Sequence, residues 1–183
     1  MKAILTGIFG ATSVMLVTRV ALAGEPGSPD GGYGTVGALV GVGTADYTLF
    51  GAGARAGYTF PTTPTYLGGS FIYHFGKDNL RSYVFGVEGG YDLSLHPVVM
   101  RPYLGIGDAV VRAKSLTIDV GGMTSGGGFE WAGNFAFWPG LSVIYPIGAF
   151  FVGADARVQF IPDATASEHT VSFGAFATLG MSF

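Results

Sequence analysis

Apolar and polar residues alternate along most of the chain beyond residue 32. The alternating stretches are bounded by Gly, Pro, Asp or Asn, and none shows the i, i+3, i+4 apolar stripe of an amphipathic helix. The pattern predicts eight β-strands, at residues 33–43, 48–60, 65–75, 81–93, 99–113, 131–145, 148–160 and 170–183. These segments are longer than the five or six residues typical of soluble strands, and they suit a tilted strand that crosses a bilayer in roughly 9–11 residues.

The connections between the predicted strands alternate in length. The short ones are residues 61–64, 94–97 and 146–147, and the long ones are residues 44–47, 76–80, 114–130 and 161–169. Tight turns at one end and long loops at the other are typical of antiparallel barrels that span an outer membrane. The pattern therefore predicts an all-β fold, an eight-stranded antiparallel transmembrane barrel over residues 33–183.

The two faces of the predicted strands differ in a way that indicates which face is inside. In the fourth segment one face carries Tyr83, Phe85, Val87, Tyr91 and Leu93, and the other carries Ser82, Gly86, Glu88, Gly90 and Asp92. A glycine-rich polar face would make a bare exterior for a soluble periplasmic barrel. Inside a narrow eight-stranded barrel the same glycines relieve crowding. The polar face is therefore predicted to line the lumen and the apolar face to contact lipid.

Isolated charges occur on this polar face. Three basic and three acidic residues lie in mid-strand: Arg55, Arg101, Arg157, Glu88, Asp92 and Asp155. Unpaired charge in a narrow interior is costly, so we predict that these six side chains form salt-bridged networks across the lumen. Phe176 is an aromatic residue on the inward face of the last segment and is predicted to plug the lumen.

Other residues are assigned to the membrane surface. Aromatic residues near strand ends are predicted to form the interfacial girdles: Tyr58, Phe60, Tyr66, Tyr91, Tyr145, Phe160 and Phe183. Asp108 is an exception, since its parity places it on the apolar face of the fifth segment. A bulge near Gly107, or a position at the outer rim, would reconcile Asp108 with a barrel.

Composition and the first residues agree with export. The 183-residue chain has 32 glycines, 11% charged residues, a net charge of −3 and no cysteine, which disfavours helical folds, nucleic-acid binding and thiolate metal sites. Residues 1–23 resemble a cleavable signal peptide, with Lys2, an apolar run and an A-x-A site at 21–23. Residues 24–32 are then a short periplasmic lead.

The segments GVEGGYDLSLHPVVMRPYLGIG (86–107) and FGAFATLGMSF (173–183) resemble the small outer-membrane β-barrel superfamily. Its members include the OmpA transmembrane domain, OmpX-like and opacity proteins, and OmpW-like barrels. The resemblance implies an integral outer-membrane monomer without a cofactor, with membrane lipids and the barrel-assembly machinery as partners. It also implies that the alternating final strand is the assembly signal, through Phe173, Leu179, Met181 and Phe183.

Three functions are compatible with these features. A structural or surface-interaction barrel is the first, with Leu116, Ile118 and Met123 in the longest loop as its recognition residues. A narrow channel or an OmpW-like carrier for small or apolar solutes is the second. A lipid A-modifying enzyme is the third, which would need a histidine beside a serine and a carboxylate.

The three histidines do not favour that third function. His74 is near Asp78 and Ser82 across a hairpin, His96 lies in a periplasmic turn, and His169 faces away from Ser172. The sequence therefore predicts a non-enzymatic protein.

Overall fold

The computed structural model describes residues 32–77, 80–114, 119–120, 123–124, 129–162 and 171–183. Eight long strands account for most of them and confirm the predicted all-β fold. They are β1 (Tyr33–Gly43), β2 (Phe50–Thr59), β3 (Thr65–Phe75), β4 (Arg81–Tyr91), β5 (Val98–Lys114), β6 (Phe129–Ile147), β7 (Phe150–Phe160) and β8 (Val171–Ser182).

The strands form one closed antiparallel barrel. Each strand pairs with its neighbour in the chain, and β1 pairs with β8 from Thr35↔Ser182 to Gly43↔Gly174. The seam continues to the end of the chain, because Gly34 and Phe183 exchange two backbone hydrogen bonds, of 2.6 and 2.9 Å. Closure leaves every long strand paired on both sides, so the barrel has no open sheet edge.

Tight turns and longer loops lie at opposite ends, as predicted, but two turns are shifted. The chain reverses at Gly148 and Ala149 instead of at residues 146–147, because Gly148 adopts a positive φ of 61° that glycine tolerates. A short strand, Leu93–Leu95, pairs with the start of β5, so the other turn narrows to His96 and Pro97. The predicted signal peptide and residues 24–31 lie outside the described residues.

The outward face of the barrel is apolar around its whole circumference. Large side chains from all eight strands are more than a third exposed, among them Val40, Tyr58, Leu67, Val87, Leu104, Phe135, Val152 and Leu179. An apolar exterior around a polar interior is the inverse of a soluble protein, and closed barrels are the β-structures that can span a bilayer. The barrel is therefore a membrane-spanning one. Within the described part of the chain, no helix has the length and hydrophobicity needed to cross a membrane.

Two surface assignments need correction. Tyr66 does not join a girdle, since even-numbered residues of β3 point inward and its side chain is only 1% exposed. The proposed bulge at Gly107 is also wrong, because β5 pairs without interruption with β4 and β6 through Gly107 and Asp108. Asp108 instead points outward between Phe85 and Phe135, its partners on the neighbouring strands.

Candidate functional site: the barrel lumen

Four of the six predicted charges meet at the middle of the lumen. Arg55 lies 2.7 Å from Glu88 and 2.8 Å from Asp155, and Arg157 lies 2.9 Å from Asp155 and 3.8 Å from Glu88. The four residues come from β2, β4 and β7, which lie on different sides of the barrel. Two guanidinium groups and two carboxylates thus form a neutral cluster that crosses the lumen; we call it the central cluster.

Neutral side chains add hydrogen bonds to the central cluster. Glu88 accepts from the Ser70 hydroxyl at 2.7 Å and the Trp138 indole at 3.0 Å, while Asp155 accepts from Ser142 at 2.6 Å and Tyr103 at 2.9 Å. The Arg55 guanidinium carbon also lies 4.5 Å from the centre of the Tyr103 ring. Together with the ion pairs, these contacts make burial of the ionised groups tolerable and fix their positions.

The other two predicted charges close the periplasmic end. Arg101 binds Asp92 through two nitrogens, at 2.5 and 2.9 Å, and its guanidinium carbon lies 3.7 Å from the Tyr66 ring centre. Asp92 also accepts hydrogen bonds from the hydroxyls of Tyr33 and Thr59. The structure therefore places all six predicted residues in ion pairs, four in the central cluster and two in this periplasmic layer.

The space between the two charged layers is small. A cavity of about 20 Å³ there is lined by residues that include Arg55, Arg101, Ser142 and Thr178. A volume of this size holds roughly one water molecule. The lumen is thus filled by side chains at these levels, as expected for an eight-stranded barrel.

Phe176 lies above the central cluster and is 3% exposed, packed with Leu39 and Ile72. Three glycines surround its ring. A Cβ on Gly41 or Gly174 would lie 2.7 Å from a Phe176 ring carbon, and one on Gly51 would lie 3.0 Å from another. The glycines of the inward face therefore make the space that the aromatic ring fills.

The loop of residues 44–49 closes the extracellular mouth. Ala45 and Tyr47 are buried against a group of apolar residues that includes Val84 and Ile161. Ser82 donates to the Tyr47 carbonyl at 3.0 Å, and the Thr48 and Ser172 hydroxyls are 2.7 Å apart. Burial raises the pKa of Tyr47 to about 12, so its hydroxyl stays protonated at neutral pH.

The described residues do not form a catalytic constellation around a histidine. His74 is buried beside Phe176, and neither of its ring nitrogens has a hydrogen-bond partner. Ser82, its predicted neighbour, donates instead to a backbone carbonyl. His96 is exposed in its turn, whereas Asp78 and His169 lie outside the described residues. Within the described ranges, no group of three or more His, Asp or Glu side chains could hold a metal ion.

Comparisons with known proteins agree with this architecture. No family model matches the chain, and no curated protein sequence matches it. Neisserial surface protein A is 18% identical, with 87% of this chain and 99% of that chain covered and a TM-score of 0.57. A major outer membrane protein from Thermus thermophilus is 13% identical, with coverages of 83% and 99% and a TM-score of 0.60. Ail of Yersinia pestis, solved in complex with the heparin analogue sucrose octasulfate, is 14% identical, with coverages of 83% and 97% and a TM-score of 0.51.

The chain has the fold of a small outer-membrane β-barrel. Its continuous apolar exterior and its alternation of tight turns and long loops are those of outer-membrane barrels. The protein is accordingly integral to the outer membrane, and we expect the long loops on the extracellular side.

The remaining predicted residues of this outer-membrane barrel lie outside the lumen. The four predicted assembly residues share the lipid-facing side of the last strand and are about half exposed: Phe173, Leu179, Met181 and Phe183. Their role as a signal stays a prediction. Leu116 and Ile118 lie outside the described residues, and Met123 begins a two-residue strand that pairs with Asp119 and Val120.

Several lumen residues were not predicted from the sequence. Tyr33, Tyr103 and Trp138 all bind the charged groups, and Tyr47 belongs to the loop that closes the mouth. Strand parity could have identified the first three, because residues an even number of positions apart on a strand point to the same face. Tyr33 shares its face with Thr35, Tyr103 with Arg101, and Trp138 with Ser142. No comparable signal exists for Tyr47, which lies outside the strands.

The glycine positions allow a matched test of how tightly the lumen is packed. Gly51→Ala should destabilise the barrel by about 1–3 kcal/mol, because the added Cβ would lie 2.8 Å from His74 Nδ1 and 3.0 Å from Phe176. Gly89→Ala is the control, since a Cβ there meets nothing within 4 Å. Urea unfolding in lipid vesicles measures both. Equal stability of the two variants would contradict the packing around Phe176.

Proposed function

We propose that this protein is a closed structural barrel that anchors its extracellular loops in the outer membrane for surface interactions, with neither transport nor catalytic activity. One observation carries the proposal: all six lumen charges are consumed in ion pairs and hydrogen bonds that cross the barrel. Its partners would be the lipids of the outer membrane and, during biogenesis, the barrel-assembly machinery.

Transport is disfavoured by successive obstructions along the lumen. A solute entering from outside would meet the loop of residues 44–49, then Phe176, then the central cluster and finally the Arg101–Asp92 pair. Opening a route through the central cluster would separate buried charges, each of which costs several kcal/mol when uncompensated. An apolar solute in the lumen would also lie against these ionised groups without offering them hydrogen-bond partners, which is costly.

Catalysis is disfavoured by the chemistry of the histidines. A hydrolase or acyltransferase needs a base within hydrogen-bond reach of its nucleophile. His74 has no such partner among the described residues and is enclosed beneath the mouth. The solved neighbours that match the fold are surface and membrane proteins by name, which agrees with a non-enzymatic role.

Planar-bilayer recording tests the proposal. The purified full chain should give no discrete openings at amounts at which a porin control conducts, and lipid A mass spectra should be unchanged after overexpression. Reproducible unitary conductance would refute the closed barrel and favour the channel. A new lipid A species would instead establish the enzyme.

The ligand of Ail does not transfer to this protein. The four long connections, residues 44–47, 76–80, 114–130 and 161–169, together contain six acidic residues and two basic residues: Asp46, Asp78, Asp119, Glu130, Asp163, Glu168, Lys77 and Lys114. A polyanion would be repelled by this excess of negative charge. We therefore propose a surface interaction whose partner is not a heparin-like polyanion.

A further inference from the structure

The basic residues outside the lumen are gathered at one part of the barrel rim. Of the nine basic residues in the chain, two precede residue 32 and three lie in the lumen as Arg55, Arg101 and Arg157. The remaining four all lie at or beside the long-loop ends of β3, β4 and β5: Lys77, Arg81, Arg112 and Lys114. We call these four residues the basic rim. Outside the lumen, the barrel thus has its basic residues on three neighbouring strands and at one end.

Arg81 lies on the outward face of β4, where the apolar surface of that strand ends. Its side chain is exposed, and the next outward residues along β4 are Tyr83, Phe85 and Val87. The Arg81 guanidinium donates a 3.4 Å hydrogen bond to the Tyr73 hydroxyl. Tyrosines are typical of the level at which the headgroups of a bilayer meet its hydrocarbon. The position of Arg81 is therefore that of a lipid headgroup.

The neighbour of Arg81 on β5 is a second arginine. The register places Arg112 directly opposite Arg81, and like charges at directly opposite positions destabilise a strand pair. Within the described residues, no carboxylate forms an ion pair with Arg81. Asp108, the described carboxylate on the outward face of β4 and β5, is four residues from Arg112, roughly 13 Å along the strand. Two opposed arginines without an acid between them indicate an anion supplied from outside the chain.

We propose that Arg81 and Arg112 bind the phosphate group of a lipid in the outer leaflet, with Lys77 and Lys114 beside them. Guanidinium groups recognise phosphate through paired, charge-assisted hydrogen bonds. A lipid is confined to the membrane plane beside the barrel, so it meets these arginines before the long connections, whose net negative charge repels a soluble polyanion. The inference deepens the partnership with outer-membrane lipids proposed above and rests on it, because it requires the barrel to span that membrane.

Native mass spectrometry of the folded full chain, titrated with lipid A in detergent, tests this site. Arg81→Gln should weaken lipid A binding roughly fivefold, the effect of one cationic residue near an anionic lipid surface. Adding Arg112→Gln should weaken it further. Thr62→Glu is the matched control, because it changes the net charge by the same amount in an exposed turn at the opposite end of the barrel. Unchanged binding by Arg81→Gln, or equal weakening by Thr62→Glu, would overturn the proposal.

Two further titrations separate the lipid phosphate from the acyl chains and from free phosphate. Lipid A stripped of its phosphates should bind the unaltered chain as weakly as intact lipid A binds the double arginine variant, and equally tight binding of both lipids would contradict a phosphate site. Inorganic phosphate at the same concentration should not displace lipid A. Displacement would assign the arginines to free phosphate and overturn the lipid as their ligand.

Folding and channel activity are controlled separately. Heat-modifiable mobility on gels shows that each variant is a folded barrel, and Lys77→Gln, at an exposed loop position, should also weaken binding if Arg81→Gln fails to assemble. Discrete conductance would refute the closed barrel and leave this lipid site intact. Loss of the lipid site would leave the closed barrel intact.

Discussion

Glu88→Ala should destabilise the folded barrel by about 3–5 kcal/mol, the largest effect expected of a single substitution in the central cluster. Glu88 is fully buried, and its removal would leave Arg55 and Arg157 to share Asp155. It would also deprive Ser70 and Trp138 of their acceptor. Unfolding in urea, followed by tryptophan fluorescence in lipid vesicles, gives the free energy directly.

A double variant separates charge balance from simple loss of contacts. Arg55→Met with Glu88→Leu removes one charge of each sign and leaves Arg157 paired with Asp155 at 2.9 Å. We expect this double variant to be more stable than Glu88→Ala, because replacing both members of a buried pair by apolar groups is often nearly neutral. Asp46→Ala, an exposed carboxylate in the mouth loop, should change stability by less than about 0.5 kcal/mol. The explanation by charge balance would be refuted if the double variant lost as much free energy of unfolding as Arg55→Met and Glu88→Leu lose as single variants, added together.

Phe176→Ala should lower the free energy of unfolding by about 3–5 kcal/mol, the range for deleting a buried aromatic ring. This effect should be independent of the central cluster. The surrounding glycines cannot fill the cavity, since Gly41, Gly51 and Gly174 carry no side chains that could repack. The same vesicle-based unfolding measures the effect.

Phe173→Ala is the matched control for Phe176→Ala. Phe173 lies three residues away on the same strand, but it faces lipid and is 59% exposed. Its truncation should cost less than about 1 kcal/mol, because lipid replaces the lost contacts. The plug assigned to Phe176 would be wrong if the two variants were equally stable.

Alternation of residue types predicted the fold well because, in a membrane barrel, each strand must separate lipid from lumen by itself. That local requirement identified the eight strands and the inward side of Arg55, Glu88 and Phe176. The prediction failed where a residue was assigned by its closeness to a strand end and not by the face of the strand to which it points. Tyr66 was placed in a girdle because it is aromatic and near a strand end, but parity directs it inward beneath Arg101.

The pairing of charges could not be predicted from sequence. Balance alone does not say which arginine meets which acid, since that depends on the register of all eight strands around the barrel. Arg55 and Asp155 are 100 residues apart and meet only when β2 and β7 face each other across the lumen. The mouth loop is similar, because nothing in residues 44–49 distinguishes a segment that folds inward from one that extends into solvent.

The seam between β1 and β8 determines when the interior can dehydrate. Every other long-strand pairing joins neighbours in the chain, whereas this one joins residues as far apart as Thr35 and Ser182. Pairings between distant residues carry the greatest entropic cost and tend to form late in folding. While the seam is open, water can still reach the arginines and carboxylates from the side. We therefore expect the charges to lose their hydration and gain their partners as the seam closes.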